Sequence, residues 1–306
     1  MRILRGLRDL AFVALATTTV LFFLVRLTGD PAVMLAGESA TPAQLAEIRA
    51  AYGFDKSLIE QYLIYIWKVL HLDLGTSLQD GQPAFQKVLM AYPATLGLAA
   101  AAVATNVLVA VPIGAWLGQS RSGASSAVRG VLTVMQGFPG FVFALLLVNI
   151  FAVGLEWVPS VGYGGVETWI LPVVSVVSFL APKLIRVVEA NTRAALGSNF
   201  VRTARSIGAT DSEILWRHVL PNALLGAVAL IGAEIAFMLT GLVIIESIFA
   251  WPGIGWLLVQ STLNLDFPVV QAIALMIVIS VFISNAATEA VQVLFDPRRR
   301  NTARPA

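Results

Sequence analysis

The sequence predicts an all-α integral membrane protein with six transmembrane helices. Three observations carry this. The 306 residues are 58% apolar, with a mean hydropathy of +0.81, well above the roughly 45–50% apolar content of soluble domains. Several uncharged stretches approach the ~20 residues that a helix needs to cross a bilayer. Only 12% of residues are charged, and the basic ones cluster on one side of the predicted spans. No cysteine is present, which removes disulfides and thiolate metal sites. The two histidines, His71 and His218, cannot make a multi-histidine metal site within the chain.

Six spans are expected, at about 9–27, 94–118, 131–155, 168–187, 222–245 and 268–293. In lipid the backbone must satisfy its own hydrogen bonds, so each should be a helix. Arg2, Arg5 and Arg8 before the uncharged run Leu10–Val25 also suit a secretory signal peptide. No clear small-x-small site follows Arg26, so residues 1–27 are expected to be a cytoplasmic N-terminus and an uncleaved first helix.

Orientation follows from lysine and arginine. With the N-terminus inside, the cytoplasmic side holds Arg2, Arg5, Arg8, Arg121, Arg129, Lys183, Arg186, Arg193, Arg202, Arg205, Arg217, Arg298, Arg299, Arg300 and Arg304, which is 15 of the 20 basic residues. Arg26, Arg49, Lys56, Lys68 and Lys87 remain outside. Both termini are then cytoplasmic, with 294–306 as a short tail.

The first outer loop, 28–93, is too long for a simple connection. Thr41-Pro42 followed by Gln44 predicts a helix start, with proline at the first position and a capping-box partner. Gly53 predicts its stop. Leu58–Leu70 is a second helix, too short and too charged to span, whose Tyr62, Tyr65 and Trp67 suit a membrane interface. It admits two readings: packing on the outer ends of the bundle, or docking of a partner. In the second span Ala94, Gly97, Ala99–Ala102, Ala104, Gly114 and Gly118 predict close helix packing.

Some chemistries are missing. There is no G-x-x-x-x-G-K-[ST], because none of Lys56, Lys68, Lys87 and Lys183 follows a glycine. The chain has no P-loop for nucleotide phosphates. There is also no H-E-x-x-H and no G-x-S-x-G. Any active transport must draw its energy from another subunit or from an ion gradient.

Residues 201–221, VRTARSIGATDSEILWRHVLP, form a charged island between two apolar runs. Asn199–Ser206 predicts a short helix with Arg202 and Arg205 one turn apart, ended by Gly208 in the left-handed conformation. Asp211 or Ser212 can cap a second helix running to Leu220, with Asp211 and Glu213 at its positive end and Arg217 and His218 at its negative end. Pro221 is expected to break the chain before the fifth span. A solvated basic loop that merely obeys the positive-inside rule is the competing reading.

VRTARSIG and RHVLPNALL resemble the cytoplasmic coupling ("EAA") loop of ATP-binding-cassette (ABC) importer permeases. The similarity is closest to the dipeptide/oligopeptide/nickel permease family. LTGDP (27–31), YGFDKSLIEQY (52–62), DLGTS (73–77), YPATLGLA (92–99), GFPGFVFALLL (137–147), LEWVPSVGYGG (155–165), ESIFAWPGIGWLL (246–258), DFPVVQA (266–272) and DPRRR (296–300) resemble that family in order along the chain. The resemblance implies a type I ABC importer (MetI-like) permease fold, with 94–293 as the core transmembrane domain and 198–221 as its coupling loop. It implies a second homologous permease subunit, two cytoplasmic ATPase subunits that bind ATP and magnesium, and a binding protein outside. It places the chain in a bacterial inner membrane and gives it no cofactor, no catalytic residue and no nucleic-acid partner. Carried over by position, Arg202, Thr203, Ala204, Arg205 and Gly208 would be the coupling helix and its turn. Arg217, His218, Leu220 and Pro221 would be the returning helix. Three positions depart from the pattern: Arg202 stands where the general motif often has Glu, Ile207 where this subfamily often has Lys, and Pro221 where Arg is frequent.

Polar residues within spans are the candidates for a translocation path. Glu234 sits mid-span, where a charge costs roughly 2.5–3.5 kcal/mol on insertion scales. It suits either a hydrogen bond to a neighbouring helix or a pore-facing role. Ser280, Ser284 and Thr288 recur every four residues, and Asn285 pairs with Glu289 at the same spacing. Interhelical hydrogen bonding is the first reading of that stripe and pore lining the second. The resulting function is a permease subunit that carries peptides or similar small solutes. The alternative is a proton-coupled secondary transporter using Glu234 or Glu289.

Overall fold

Five helices are long and apolar enough to cross a membrane: 8–27, 84–119, 167–196, 211–241 and 267–294. A sixth crossing is a bent pair, Gly123–Gln136 with Gly140–Gly154, whose arms meet at 101°. The computed structural model describes residues 2–28, 31–36 and 40–295. The expected features at 29–30 and 296–306, including Arg298, Arg299, Arg300 and Arg304, lie outside the described residues.

In chain order the helices are α1 (Arg2–Thr28), α2 (Pro31–Ala36), α3 (Pro42–Tyr52), α4 (Leu58–Leu70), α5 (Ala84–Gln119), α6 (Gly123–Gln136), α7 (Gly140–Leu147) with a π-helical continuation Val148–Gly154, α8 (Glu167–Leu196), α9 (Asn199–Ser206), α10 (Asp211–Glu213) with a π-helical continuation Ile214–Val219, α11 (Leu220–Gly241), α12 (Val243–Ile248), α13 (Ile254–Leu263) and α14 (Phe267–Phe295). No strand occurs among the described residues; Thr76 and Pro83 form an isolated bridge.

Local chemistry explains many of these boundaries. Thr41 accepts from the Gln44 backbone N–H and Gln44 reaches back to Thr41, closing a capping box. Gly53 ends α3 at φ 69°, a conformation that favours glycine. Ser57 and Glu60 form a second capping box at the start of α4.

Proline does not set the boundaries of the spans. α5 begins ten residues before the expected 94 and runs through Pro93 and Pro112. α8 contains Pro172 and Pro182 and continues nine residues past the expected 187. Neighbouring helices re-satisfy the freed carbonyls in such cases. Pro221 likewise does not break the chain. The preceding turn widens to a π turn, in which the Leu220 N–H bonds the Leu215 carbonyl. A wider turn relieves the clash between a proline ring and the carbonyl one turn back, and helix α11 proceeds from it. The expected single span 131–155 is instead broken. At Gly137–Phe138–Pro139 the backbone leaves the helix, and α7 starts in a new direction.

The described residues divide into two compact units, those within 2–93 with 252–282 and those within 94–251 with 283–295. The first has a core of Leu74, Ala84, Val88, Ile254, Val269, Ala272 and Ile273. Asp266 stitches its loop: it accepts from the Ser77 hydroxyl at 2.5 Å and the Leu78 backbone at 3.0 Å. Tyr92 and Ser280 share a hydrogen bond at 2.6 Å. Outside the spans, the Lys87 ammonium, 2.9 Å away, holds the Asp80 carboxyl below the usual carboxylate range.

The second unit is built on α8, whose buried face runs from Leu171 to Thr192. α5 crosses it at Gly114 and Gly118. A Cβ on Gly114 would sit 2.7 Å from Val188 Cβ and 2.8 Å from the Ile185 carbonyl, and one on Gly118 would sit 2.7 Å from Thr192. This is the small-xxx-small contact of membrane helices. Below it, Arg129 donates to the Leu117 and Ser120 carbonyls at 2.7 and 2.9 Å and to Glu189 at 2.7 Å. A cation thereby closes the negative end of α5. Glu189 also takes Arg193 at 2.7 Å.

Replacing Gly118 by Val should destabilise the purified protein by about 1–3 kcal/mol through overpacking. Gly130→Ala, where nothing lies within 4 Å, should be neutral or stabilise by roughly 0.5–1 kcal/mol. Thermal unfolding in one detergent compares the two. Equal midpoints would show that the α5–α8 contact is looser than described.

Candidate coupling and translocation sites

Helix α9 follows α8 after Gly197 and Ser198 and has one buried edge. Val201 and Ala204, three residues apart, are buried in the same core as Ile214, Leu215, Val219 and Leu220. The remaining positions face outward, so Arg202, Thr203, Arg205 and Ser206 are exposed. Gly208 takes φ 86°, the left-handed conformation expected of it, and Ala209 N–H bonds the Ala204 carbonyl. The second helix is capped by Thr210, which accepts from Glu213 N–H at 3.2 Å, and not by Asp211 or Ser212. The hydroxyl one position earlier wins because Asp211 is already helical.

The charges on this segment are largely spent locally. Arg205 pairs with Asp211 at 3.4 Å and Arg217 with Glu213 at 3.1 Å. Arg202 has no ion-pair partner among the described residues. Three large apolar side chains are also exposed here: Phe200 (41%), Trp216 (58%) and Ile207 (80%). His218 is half-buried and its carbonyl accepts from Asn222 at 2.7 Å. Leu220 is buried, while Pro221 is exposed at the start of α11. Of the residues expected to form one surface, Arg202, Thr203, Arg205, Gly208 and Arg217 do face out, whereas Ala204 and Leu220 anchor the segment from within. The signal missed in the sequence was apolar: Phe200, Ile207 and Trp216 flank the charges.

Within the spans, Glu234 is buried and accepts from Asn106 Nδ2 at 3.2 Å. Glu234 Oε1 and Asn106 Oδ1 have no further hydrogen-bond partner among the described residues. The helix-to-helix reading of Glu234 is therefore the one its geometry meets, and Asn106, 128 residues away, was not foreseen. The polar stripe of α14 separates into two groups. A Cβ on Gly232 would lie 2.0 Å from Thr288 Cγ2, so Thr288 packs at a tight crossing of α11 and α14. Ser284 Oγ is buried with no hydrogen-bond partner among the described residues. Asn285 and Glu289 are exposed. Lys183 and Arg186, expected near the end of their span, lie well inside α8. Arg186 donates to Thr133 Oγ1 at 2.6 Å, and Lys183 is exposed.

A second buried acid is Glu246. Expected at the edge of a loop, it is instead fully buried in α12 and accepts from Thr95 Oγ1 at 2.6 Å. Next to it Trp251 Nε1 donates to the Ala94 carbonyl at 2.9 Å. Trp251 meets Tyr163 and Trp169 edge-on, at centroid distances of 4.8 and 4.6 Å. Trp169 in turn covers Gly97, where a Cβ would sit 3.0 Å away. Three separate sequence motifs, 92–99, 155–165 and 246–251, thus meet in one aromatic cluster.

Asn106→Leu should destabilise the protein by about 1–3 kcal/mol, because it leaves a buried acid without its donor. Combining it with Glu234→Leu should recover most of that loss. A double-mutant cycle on thermal unfolding should give a coupling of about 0.6–1.7 kcal/mol; additive effects would mean the pair does not interact.

Comparison with known proteins agrees with this geometry. Residues 110–301 match the family described as binding-protein-dependent transport system inner membrane component, and residues 2–99 match its N-terminal membrane component. A glutathione transport system permease protein of Pectobacterium atrosepticum is 32% identical over 285 residues, covering 92% of each chain. A peptide transport system permease protein of Brucella abortus is 32% identical over 298 residues, covering 94% of this chain and 95% of the other. Among solved structures, the methionine ABC transporter MetNI in an inward-facing conformation aligns with a TM-score of 0.59 over 69% of this chain and 97% of its own, at 17% identity. An amino acid ABC transporter with histidines aligns at 0.52 over 70% and 94%, at 19% identity. These two likenesses show the type I fold. The family match favours an ATP-driven importer over the proton-coupled alternative. Its members are multi-pass inner-membrane permeases that work with ATPase subunits and a substrate-binding protein. This chain belongs to the family of binding-protein-dependent transport system inner membrane components and is the permease subunit of an ABC importer, resembling those of the dipeptide/oligopeptide group.

Proposed function

We propose that the chain forms half of a translocation path for peptides or glutathione-like solutes, paired with a second, homologous permease. The substrate class is suggested by the names of its relatives, glutathione and peptide permeases. The excess of arginine and lysine on one side supports cytoplasmic N- and C-termini. The segment 198–221 then faces the cytoplasm and docks on an ATPase subunit. One observation carries this assignment: α9 is pinned to the core by Val201 and Ala204 while Arg202, Thr203, Arg205 and Ile207 point away from it. A helix fixed on one side and bare on the other can pass a push from a partner into the bundle.

Gly208 makes the turn, and Arg217, His218, Leu220 and Pro221 return the chain to the span. Asn285 and Glu289, exposed on α14, are the residues we assign to the path or to the partner permease, because polar groups in a span must avoid lipid. Glu234, Ser284 and Thr288 are assigned to helix packing next to it.

Charge reversal at Arg202 and Arg205 together should abolish ATP-driven uptake in proteoliposomes of the whole transporter while membrane insertion stays normal. Reversal at Arg121, on the same predicted side, should leave uptake unchanged. Uptake and ATPase docking that both survive the double reversal would remove the coupling role from this segment.

A further inference from the structure

Helix α4 belongs to the long first loop, yet it lies against a span. The apolar span of α1 covers residues 8–27, which at 1.5 Å per residue is about 30 Å, the thickness of the hydrocarbon core. Five side-chain pairs join α4 to it. Arg26 donates to Gln61 Oε1 at 2.7 and 3.3 Å. The Phe22 ring meets Tyr62 and Tyr65, each at 5.3 Å between centroids. Phe23 stacks on Tyr62 at 6.1 Å. Tyr62 OH shares a hydrogen bond with Thr19 Oγ1 at 2.8 Å. Thr19 lies eight residues before Leu27, about 12 Å down the span. Tyr62 therefore reaches well below the level at which α1 leaves the membrane.

The opposite side of α4 is bare and apolar. Ile59, Leu63, Trp67 and Leu70 follow at spacings of four, four and three, so they form one stripe. Their exposures are 73, 61, 66 and 73%. α1 also carries bare apolar side chains at Val20, Phe23, Leu24 and Leu27. Polar groups gather at the ends of α4: the Ser57–Glu60 capping box at one and the Lys68–Asp73 pair, 3.8 Å apart, at the other. At 13 residues the helix is about 20 Å long, too short to cross. A short helix with an apolar stripe, polar ends and interfacial aromatics is the pattern of an in-plane membrane helix.

We propose that α4 lies within the membrane, with Ile59, Leu63, Trp67 and Leu70 against lipid acyl chains in the leaflet where α1 ends. In the orientation argued above this is the outer leaflet, but the lipid contact does not depend on that orientation. The first loop is then tied to the bilayer at its middle, and its water-exposed part is shorter than its length suggests.

The chain has no cysteine, so single cysteines can be placed in it against partner subunits whose own cysteines have been replaced. Ile59→Cys, Leu63→Cys, Trp67→Cys and Leu70→Cys would each be spin-labelled in the whole transporter in phospholipid nanodiscs, with Glu47→Cys on the exposed part of α3 as the control. The ratio of oxygen to nickel-chelate accessibility should be several-fold higher at the four stripe positions than at Glu47. A ratio equal to that of the control overturns the proposal. So does shielding of these sites that appears only when the cognate binding protein is added, since the stripe would then be a protein-docking surface. Quenching by lipids brominated along the acyl chain gives a second reading that does not depend on labelling. The difference between the native chain and Trp67→Phe should show Trp67 strongly quenched, and an unquenched Trp67 would equally sink the idea.

Discussion

A close approach between two spans, that of α5 to α8, constrains the second unit. At Gly114 and Gly118 there is no room for a Cβ, because the facing atoms are Val188, the Ile185 carbonyl and Thr192. Inside a bilayer, association cannot draw on the hydrophobic effect, since lipid tails are as apolar as leucine, and close packing has to replace it. That contact seats α8, and α8 runs on into the segment that carries Arg202 and Arg205. The Arg129–Glu189–Arg193 cluster locks the same seat from its end. Glu189 is buried and already engaged by two arginines, so a displacement of α8 there would have to break charge-assisted bonds. Val201 and Ala204, buried beyond the end of α8, then fix which face of α9 is left exposed.

The membrane also explains why the buried polar groups come in pairs from distant parts of the chain. With no water to serve as partner, Glu246 uses Thr95, Glu234 uses Asn106, and Trp251 uses the Ala94 carbonyl. Each pair ties α5, or its start, to the segment between α11 and Trp251. Such bonds contribute modestly in membranes, on average about 0.6 kcal/mol. Their larger effect is on specificity, because a slipped register would strand an acid in a medium of low dielectric. The aromatic cluster of Tyr163, Trp169 and Trp251 adds shape to the same junction.

Local rules made part of this legible in advance. Thr41, Gln44 and Gly53 bound α3 as their side chains require, and Leu58–Leu70 is a helix as its pattern suggested. The helical class, the crossings and the turn at Gly208 could be read from apolar length and from glycine chemistry. The passage through Pro221, where a break is expected, could not, because the widened turn before it lets the helix run on. The break at Gly137–Pro139 went the other way, since a continuous apolar run concealed a sharp bend. Partners were least legible of all: nothing near Glu246 in sequence points to Thr95, 151 residues away. The exposed side of 199–217 was read as charged because charge is what stands out in an apolar chain; Ile207 was noted only as a missing lysine, and Phe200 and Trp216 passed unnoticed.

The two ion pairs in that segment have an electrical consequence. Arg205 with Asp211, and Arg217 with Glu213, each sum to zero, and Arg202 alone is left with its field uncompensated among the described residues. Seen from a Debye length away, about 8 Å at physiological ionic strength, the segment looks close to neutral. It cannot attract a partner from a distance by charge, and added salt has little to screen. What it offers is contact: three bare apolar side chains and one free guanidinium. In the proposed coupling role its grip on a neighbour would be set by fit and by removal of water, and should hold at ionic strengths that would dissolve a purely electrostatic joint.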